Sequence, residues 1–313
     1  MKTLKKYMYE GLLKGQQSTL DSGEEAVYAL IEEFLKENYL GKWIISDKPN
    51  KDGLYEVSSN ESVKVTNMKI TSLTNDLFIW TIVKGNFSFS YCNLLKTLKG
   101  APEIVKGDFI CSDCDGLKSL EGAPKEVGGK FSCYSCVKLT SLEGAPKKVG
   151  GNFSCSGCKE LKTLKGAPEI VKGYFTCTDC NGLKSLEGAT EIVKGDFSCS
   201  GCNGLESLEG APKEVGGSFS CSGCNRLKSL DGAPEKVEGN FNCINCDGLK
   251  SLDGAPKEVG HDFYCRNCKS LESLDGAPKE VGHDFYCRNC KSLGLLTKDD
   301  VKKISKINGN IFC

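Results

Sequence analysis

A 22-residue unit recurs in register from Gly85 almost to the C-terminus of this 313-residue chain. One copy, residues 151–172, reads GNFSCSGCKELKTLKGAPEIVK, and the consensus is G-x-F-x-C-x-x-C-x-x-L-x-S-L-x-G-A-P-x-x-V-x. Units that repeat at a period of about 20–50 residues bury their apolar face only against neighbouring units. The chain is therefore expected to form a solenoid in which each repeat is one rung.

Each rung is expected to contribute one strand. Within G-x-F-x-C, apolar and small polar residues alternate with the period of two that is typical of a strand. The glycine before the strand permits a corner with positive φ, and Gly-Ala-Pro forms a turn because proline fixes φ and holds the preceding residue extended. Strands that run in the same direction at ~4.8 Å per rung form a parallel sheet. The ten rungs begin at Gly85, Gly107, Gly129, Gly151, Gly173, Gly195, Gly217, Gly239, His261 and His283.

Both ends of the array depart from the repeat, as terminal units that cover an open core must. Amphipathic patterns predict helices at residues 2–15 and 22–40. Thr297 opens a short helix with a capping-box-like start, and Gly309 begins a segment that resembles one more rung. The predicted organisation is an α+β cap at residues 1–61 and a solenoid at residues 62–313, divided into a degenerate first rung (62–84), regular repeats (85–294) and a C-terminal cap (295–313).

The spacing F-x-C-x-x-C-x-x-L resembles the L-x-L-x-x-N/C-x-L pattern of leucine-rich repeats, in their cysteine-containing form, over about residues 62–313. The units are also similar to the repeats of BspA-like surface proteins and, more closely, of bacteriophage leucine-rich repeat proteins. The resemblance implies a mainly β fold: a parallel β-solenoid of about ten rungs behind a small N-terminal α+β cap. It further implies protein binding on the strand face. The chain departs from the family in using Phe and Cys where Leu is usual, and in placing Gly-Ala-Pro where a helix could lie.

The 20 cysteines permit two interpretations. Cys133-x-x-Cys136 followed by Cys155-x-x-Cys158 has the spacing of a zinc ribbon. Both positions are also inward slots of the repeat, where cysteine acts as a small hydrophobe with a weak S–H donor. Phe89 fills the first cysteine slot of the first rung, which a packed core accepts and a four-thiolate zinc site does not. We therefore expect two ladders of buried thiols and no cofactor; zinc, or disulfides between rungs, are the alternatives.

Composition and motifs exclude several classes of function. Lys+Arg and Asp+Glu both number 41, so no basic excess indicates binding to nucleic acid or to a membrane surface. No apolar run has the length of a membrane span, and the N-terminus lacks a secretory h-region, which predicts a cytoplasmic protein of a host cell or a virion. The first ten residues weakly resemble the leader of phage internal head proteins. No nucleotide-binding or metalloprotease motif occurs, so an enzyme is not expected.

His261 and His283 are the only histidines, and both occupy the position before the strand that is glycine in every other rung. Histidine tolerates the left-handed backbone region better than most residues, so both are interpreted as corner residues. The alternative is a surface pair, one rung apart, that binds a metal.

The outward positions of the strand face change along the array. They are small in the central rungs, whereas the last two rungs carry tyrosine and arginine, the residues most enriched in binding hot spots. We expect a protein partner to bind there. The function favoured is non-catalytic protein–protein recognition, and the alternatives are a zinc-thiolate structural protein and a phage virion-associated or internal protein. The candidate contact residues are Asp262, Tyr264, Arg266, Asn267, Asp284, Tyr286, Arg288 and Asn289.

Overall fold

The computed structural model describes residues 20–294 and 296–313, which contain two α-helices and two long sheets. Helix α1 (Leu20–Asn38) confirms the helix predicted at residues 22–40. The helix predicted at residues 2–15, together with the phage-like leader, lies outside the described residues.

Each rung contributes its G-x-F-x segment to one sheet, called here the front sheet. Neighbouring rungs pair in parallel and in register, so that Phe153 lies beside Phe175 and Ser154 beside Thr176. Twelve parallel strands of the described residues confirm the predicted parallel solenoid. The front sheet contains β1 (Tyr39–Leu40), β4 (Val63–Val65), β6 (Phe87–Ser90), β8 (Phe109–Ser112), β10 (Phe131–Ser132), β12 (Phe153–Ser154), β14 (Phe175–Thr176), β16 (Phe197–Ser198), β18 (Phe219–Ser220), β20 (Phe241–Asn242), β22 (Phe263–Tyr264), β24 (Phe285–Tyr286) and β26 (Ile311–Phe312).

Each rung also contributes a second strand, so the expectation of one strand per rung was wrong. This strand consists of the valine of the repeat and the residue before it. It pairs in parallel with its counterpart in the next rung, as Ile170 and Val171 do with Ile192 and Val193. The back sheet contains β2 (Ile44–Ile45), β3 (Tyr55–Ser59), β5 (Phe78–Val83), β7 (Ile104–Val105), β9 (Glu126–Val127), β11 (Lys148–Val149), β13 (Ile170–Val171), β15 (Ile192–Val193), β17 (Glu214–Val215), β19 (Lys236–Val237), β21 (Glu258–Val259), β23 (Glu280–Val281) and β25 (Lys306–Ile307).

Columns of like side chains form the core. The phenylalanine of each regular rung is fully buried, and the rings stack along the array, with the centroids of Phe153 and Phe175 5.0 Å apart. Two cysteine, two leucine and one valine column accompany it. Phe89 replaces a cysteine and meets Phe109 edge-on at 5.8 Å. Burying one such ring stabilises a rung by about 1.5–3 kcal/mol, so stability is spread evenly along the chain.

A left-handed backbone was expected at the glycine before the front strand, but it occurs at two other positions of the rung. That expectation was wrong, because none of those glycines has a positive φ. One left-handed position is the glycine of Gly-Ala-Pro, such as Gly166 with φ 89°. A Cβ there would lie 2.6 Å from Cα of Glu143 in the preceding rung, so both space and conformation require glycine. The other precedes the second cysteine and is held by Ser135, Gly157 or Asn245 in different rungs.

Thr190 breaks the proline column of the Gly-Ala-Pro turns. Its side chain is 1% exposed, and within the described part of the chain its Oγ1 has no hydrogen-bond partner. The turn therefore survives without the proline ring but buries an unsatisfied hydroxyl.

The N-terminal end of the core is covered by α1 and by antiparallel strands. The ring of Phe34 in α1 lies 5.8 Å from that of Phe78, and Tyr39 lies 5.4 Å from Trp80. Strand β1 pairs antiparallel with β4, and β2 with β3. Because β3 then pairs in parallel with β5, strands on both sides of residue 61 belong to the same sheets.

The C-terminal end contains a short 3-10 helix (Lys291–Leu293) and helix α2 (Lys298–Ile304). Thr297 accepts from the N–H of Asp300, and the Asp300 side chain accepts from the N–H of Thr297, which confirms the predicted capping box. Strands β25 and β26 then extend both sheets by one rung. The terminal segment thus forms the additional strand that its resemblance to a rung predicted.

Candidate functional site

The outward face of the front sheet is uneven. In the central rungs it presents small hydroxyls that bond to one another, such as Ser200 to Ser220 at 2.8 Å and Ser156 to Thr176 at 2.9 Å. In the last rungs it presents aromatic rings and guanidinium groups. The central hydroxyls satisfy part of their own hydrogen-bonding capacity, so the last rungs hold the side chains best able to contact a partner.

Three aromatic rings form a row across the last three front strands. Tyr264 and Tyr286 lie with their ring centroids 4.7 Å apart and their planes within 12° of parallel. Phe312 continues the row at 4.6 Å from Tyr286. Sequence reasoning missed Phe312, although the register of Gly309-Asn-Ile-Phe-Cys313 with the preceding rung places it in the tyrosine slot. The stacking restrains all three rings.

Asp262 and Asp284 hold the tyrosine hydroxyls. Tyr264 Oη donates to Asp262 Oδ2 at 2.7 Å, and Tyr286 Oη donates to Asp284 Oδ2 at 3.0 Å. Each aspartate also accepts a backbone N–H from the next rung through Oδ1, that of Asp284 and that of Asn310 respectively. These carboxylates are therefore occupied within the protein rather than free to bind a ligand.

The hydrogen bonds between these tyrosines and aspartates shift the pKa values of their side chains. Burial, together with the hydrogen bond to Asp262, raises the pKa of Tyr264 to about 12. The hydrogen bond to Asp284 raises the pKa of Tyr286, and the backbone N–H of Asn310 lowers the pKa of Asp284. Both tyrosines thus stay protonated donors, and Asp284 stays a carboxylate, at neutral pH.

Arg266 and Arg288 are exposed and lie beside the rings. Cζ of Arg266 is 5.9 Å from the ring centroid of Tyr264, and Cζ of Arg288 is 4.9 Å from that of Phe312. Neither guanidinium takes part in an ion pair among the described residues. Both groups are therefore oriented by cation–π contact and keep their N–H donors available.

Asn267 and Asn289 have a local structural role. Both stand at the left-handed position before the second cysteine, with φ 62°, where asparagine is among the few favourable residues. Nδ2 of Asn289 donates to Oδ1 of Asn267 at 3.1 Å, and both residues line a surface groove beside Lys269 and Lys291. Turn geometry alone accounts for asparagine at these two positions.

All 20 cysteines are free thiols, and 19 of them are buried, Cys313 being the exposed one. The second thiol of a rung donates to the carbonyl of the first cysteine one rung back, as Cys158 does to Cys133 at 3.3 Å. The first thiol donates in the opposite direction, as Cys155 does to Thr176 at 3.7 Å. Burial raises the pKa of Cys155 and Cys265, which opposes the thiolate form that metal ligands need.

Two further observations bear on the cysteine and histidine alternatives. Within the described residues, no group of three or more His, Cys, Asp or Glu side chains is placed to hold a metal ion. Neither His261 nor His283 has a positive φ, so their interpretation as left-handed corner residues was wrong. Their rings instead lie side by side on the surface, with centroids 5.1 Å apart.

Comparison with known proteins gives no relative: no family model, no curated protein and no solved structure matches this chain. The resemblance to leucine-rich repeats stays a prediction. No helix in residues 20–294 or 296–313 is long and apolar enough to cross a membrane.

Proposed function

We propose that the protein is a non-catalytic recognition module that binds a protein partner through the last rungs of its front sheet. The recognition patch consists of Tyr264, Arg266, Tyr286, Arg288 and Phe312. The observation that carries the proposal is the pair of exposed guanidiniums held against a stacked row of rings, with donors left free. Such a surface loses little side-chain entropy when a partner binds, because stacking and hydrogen bonds already fix it.

The positions of the arginines also favour the last rungs as the binding surface. The chain has three arginines, Arg226, Arg266 and Arg288, and all lie in its last third. Arginine presents a planar fork of donors that binds carboxylates in a bidentate manner, and it is enriched in binding hot spots. Because Asp262 and Asp284 are engaged by tyrosines and backbone, the acceptors for the two patch guanidiniums must come from the partner.

The free thiols favour a reducing location for the protein, either the cytoplasm of a host cell or the interior of a virion. Stacked thiols persist without pairing where glutathione and thioredoxin keep cysteines reduced. In that setting the cysteine columns act as packing, and most of the buried thiols donate to a neighbouring carbonyl, as Cys158 and Cys155 do.

Affinity capture from the native host, followed by binding measurements with the purified partner, tests the proposal. We expect the double substitution Tyr264→Ala and Tyr286→Ala to weaken binding at least about tenfold, which corresponds to about 1.4 kcal/mol. The matched control is Tyr134→Ala with Tyr174→Ala, two exposed tyrosines of earlier rungs. Circular dichroism of both variants separates loss of contact from loss of fold.

Arginine-to-lysine substitutions sharpen the test. Arg266→Lys with Arg288→Lys keeps the charge and removes the bidentate fork, so binding weakens if the guanidiniums hold partner carboxylates. An unchanged affinity of the folded double tyrosine variant, or an equal loss in the control, would place the binding surface elsewhere.

A further inference from the structure

The two histidines form a column of their own at the edge of the front sheet. The backbone N–H of His261 donates to Gly239 one rung back, that of His283 donates to His261, and that of Gly309 donates to His283. The column thus reads Gly239, His261, His283, Gly309, so that a glycine flanks the two histidines on each side. Both side chains are exposed. The pair is therefore open to a ligand from solvent.

The spacing of the rings matches two imidazoles on one metal ion. A zinc–nitrogen bond of about 2.0–2.1 Å places a ring centroid about 3.2 Å from the metal, so two ligands at the tetrahedral angle have centroids about 5.2 Å apart. Two ligands at 90°, as in tetragonal copper or nickel sites, have centroids about 4.5 Å apart. The observed 5.1 Å lies between these values, with the ring planes at 54°.

We propose that His261 and His283 bind a divalent transition-metal ion of the imidazole-preferring class, such as Zn²⁺ or Ni²⁺. The neighbouring carboxylates do not complete the site: Asp262 accepts from Tyr264 and from the N–H of Asp284, and Asp284 accepts from Tyr286 and from the N–H of Asn310. Water fills the remaining coordination positions. The site is an open surface site, independent of the cysteine columns and of the recognition patch.

Isothermal titration with Ni²⁺ tests the site on the whole chain. The measurement uses a Cys313→Ser background, because that thiol is exposed and would compete for the metal. We expect saturable binding of one ion with a dissociation constant below about 1 mM. His261→Asn and His283→Asn, made singly, each weaken binding at least about tenfold, because one ligand loses the gain from simultaneous attachment.

The variants distinguish a site made by both histidines from metal binding elsewhere on the chain. Weakened binding in both single variants, with unchanged circular dichroism spectra, supports a two-histidine site, whereas weakening in only one of them overturns it. Undiminished binding in the double variant shows that the metal binds elsewhere on the chain and overturns the proposal, as does the absence of saturable binding by the unsubstituted histidines. Adding Arg266→Ala with Arg288→Ala leaves Ni²⁺ binding unchanged if the site is independent of the recognition patch.

Discussion

Replacing Thr190 by proline is expected to stabilise the protein. Thr190 is the one threonine in a column of buried prolines, and within the described part of the chain its Oγ1 has no partner. Its own N–H donates to no backbone carbonyl there either. Proline therefore removes no hydrogen bond, and neighbouring rungs already hold its ring at the equivalent position.

The magnitude has two parts. Burying a hydroxyl without a partner costs about 1–3 kcal/mol, which Thr190→Val should recover because valine has nearly the same shape. Proline adds about 0.4–1 kcal/mol by restricting the unfolded chain. We therefore expect the free energy of unfolding to rise in the order wild type, Thr190→Val, Thr190→Pro. The reciprocal change Pro234→Thr, two rungs away, should lower it by a similar amount.

Urea unfolding followed by far-UV circular dichroism measures these differences, provided that the slope with denaturant is the same for all variants. Hydrogen exchange at the Thr190 rung shows whether the gain is local, since a solenoid can open segment by segment. A Thr190→Val variant no more stable than wild type would show that the hydroxyl is satisfied. A Thr190→Pro variant less stable than Thr190→Val would show that this turn differs from its neighbours.

Two further predictions concern the repeat itself. Gly166→Ala should lower the free energy of unfolding by about 2–4 kcal/mol, because alanine is strained in the left-handed region and its Cβ would overpack against Glu143. Gly157→Ala should lower it by only about 1 kcal/mol, because its Cβ would approach nothing closer than 3.4 Å. Equal urea midpoints for the two variants would contradict this account. Thiol labelling of the native protein should modify Cys313 alone, with the other 19 cysteines reacting only after denaturation, and the cysteine columns should hold no zinc. One zinc per pair of rungs by elemental analysis would favour the zinc-thiolate alternative instead.

The front sheet was predictable because its signal is repeated and alternates. G-x-F-x-C places two inward residues, Phe and Cys, two positions apart, and Phe89 favours core packing over a four-thiolate site. The back sheet was not predictable in the same way. Its segments carry a single inward valine, such as Val171, and one apolar position cannot show a period of two.

The candidate site was predicted in part. Tyrosine and arginine at outward positions followed from the repeat register, and the structure places Tyr264 beside Tyr286 as that register requires. Asp262 accepts hydrogen bonds from the Tyr264 hydroxyl and from the N–H of Asp284. These bonds could not be predicted from the repeat spacing, because they depend on the direction in which each side chain points. Phe312 was missed because Ile311 occupies the phenylalanine slot of the last strand and disguises the motif.

The in-register pairing of rungs gives gene duplication an unusual effect on this surface. Ser251 to Leu271 and Ser273 to Leu293 are identical over 21 residues. Copying one such stretch of coding sequence sets each exposed group directly beside its own duplicate, at the distance between adjacent strands. A lone imidazole then becomes an adjacent pair, and a lone tyrosine a stack. In such an array, recombination can set two like side chains side by side in one event, without any new point mutation.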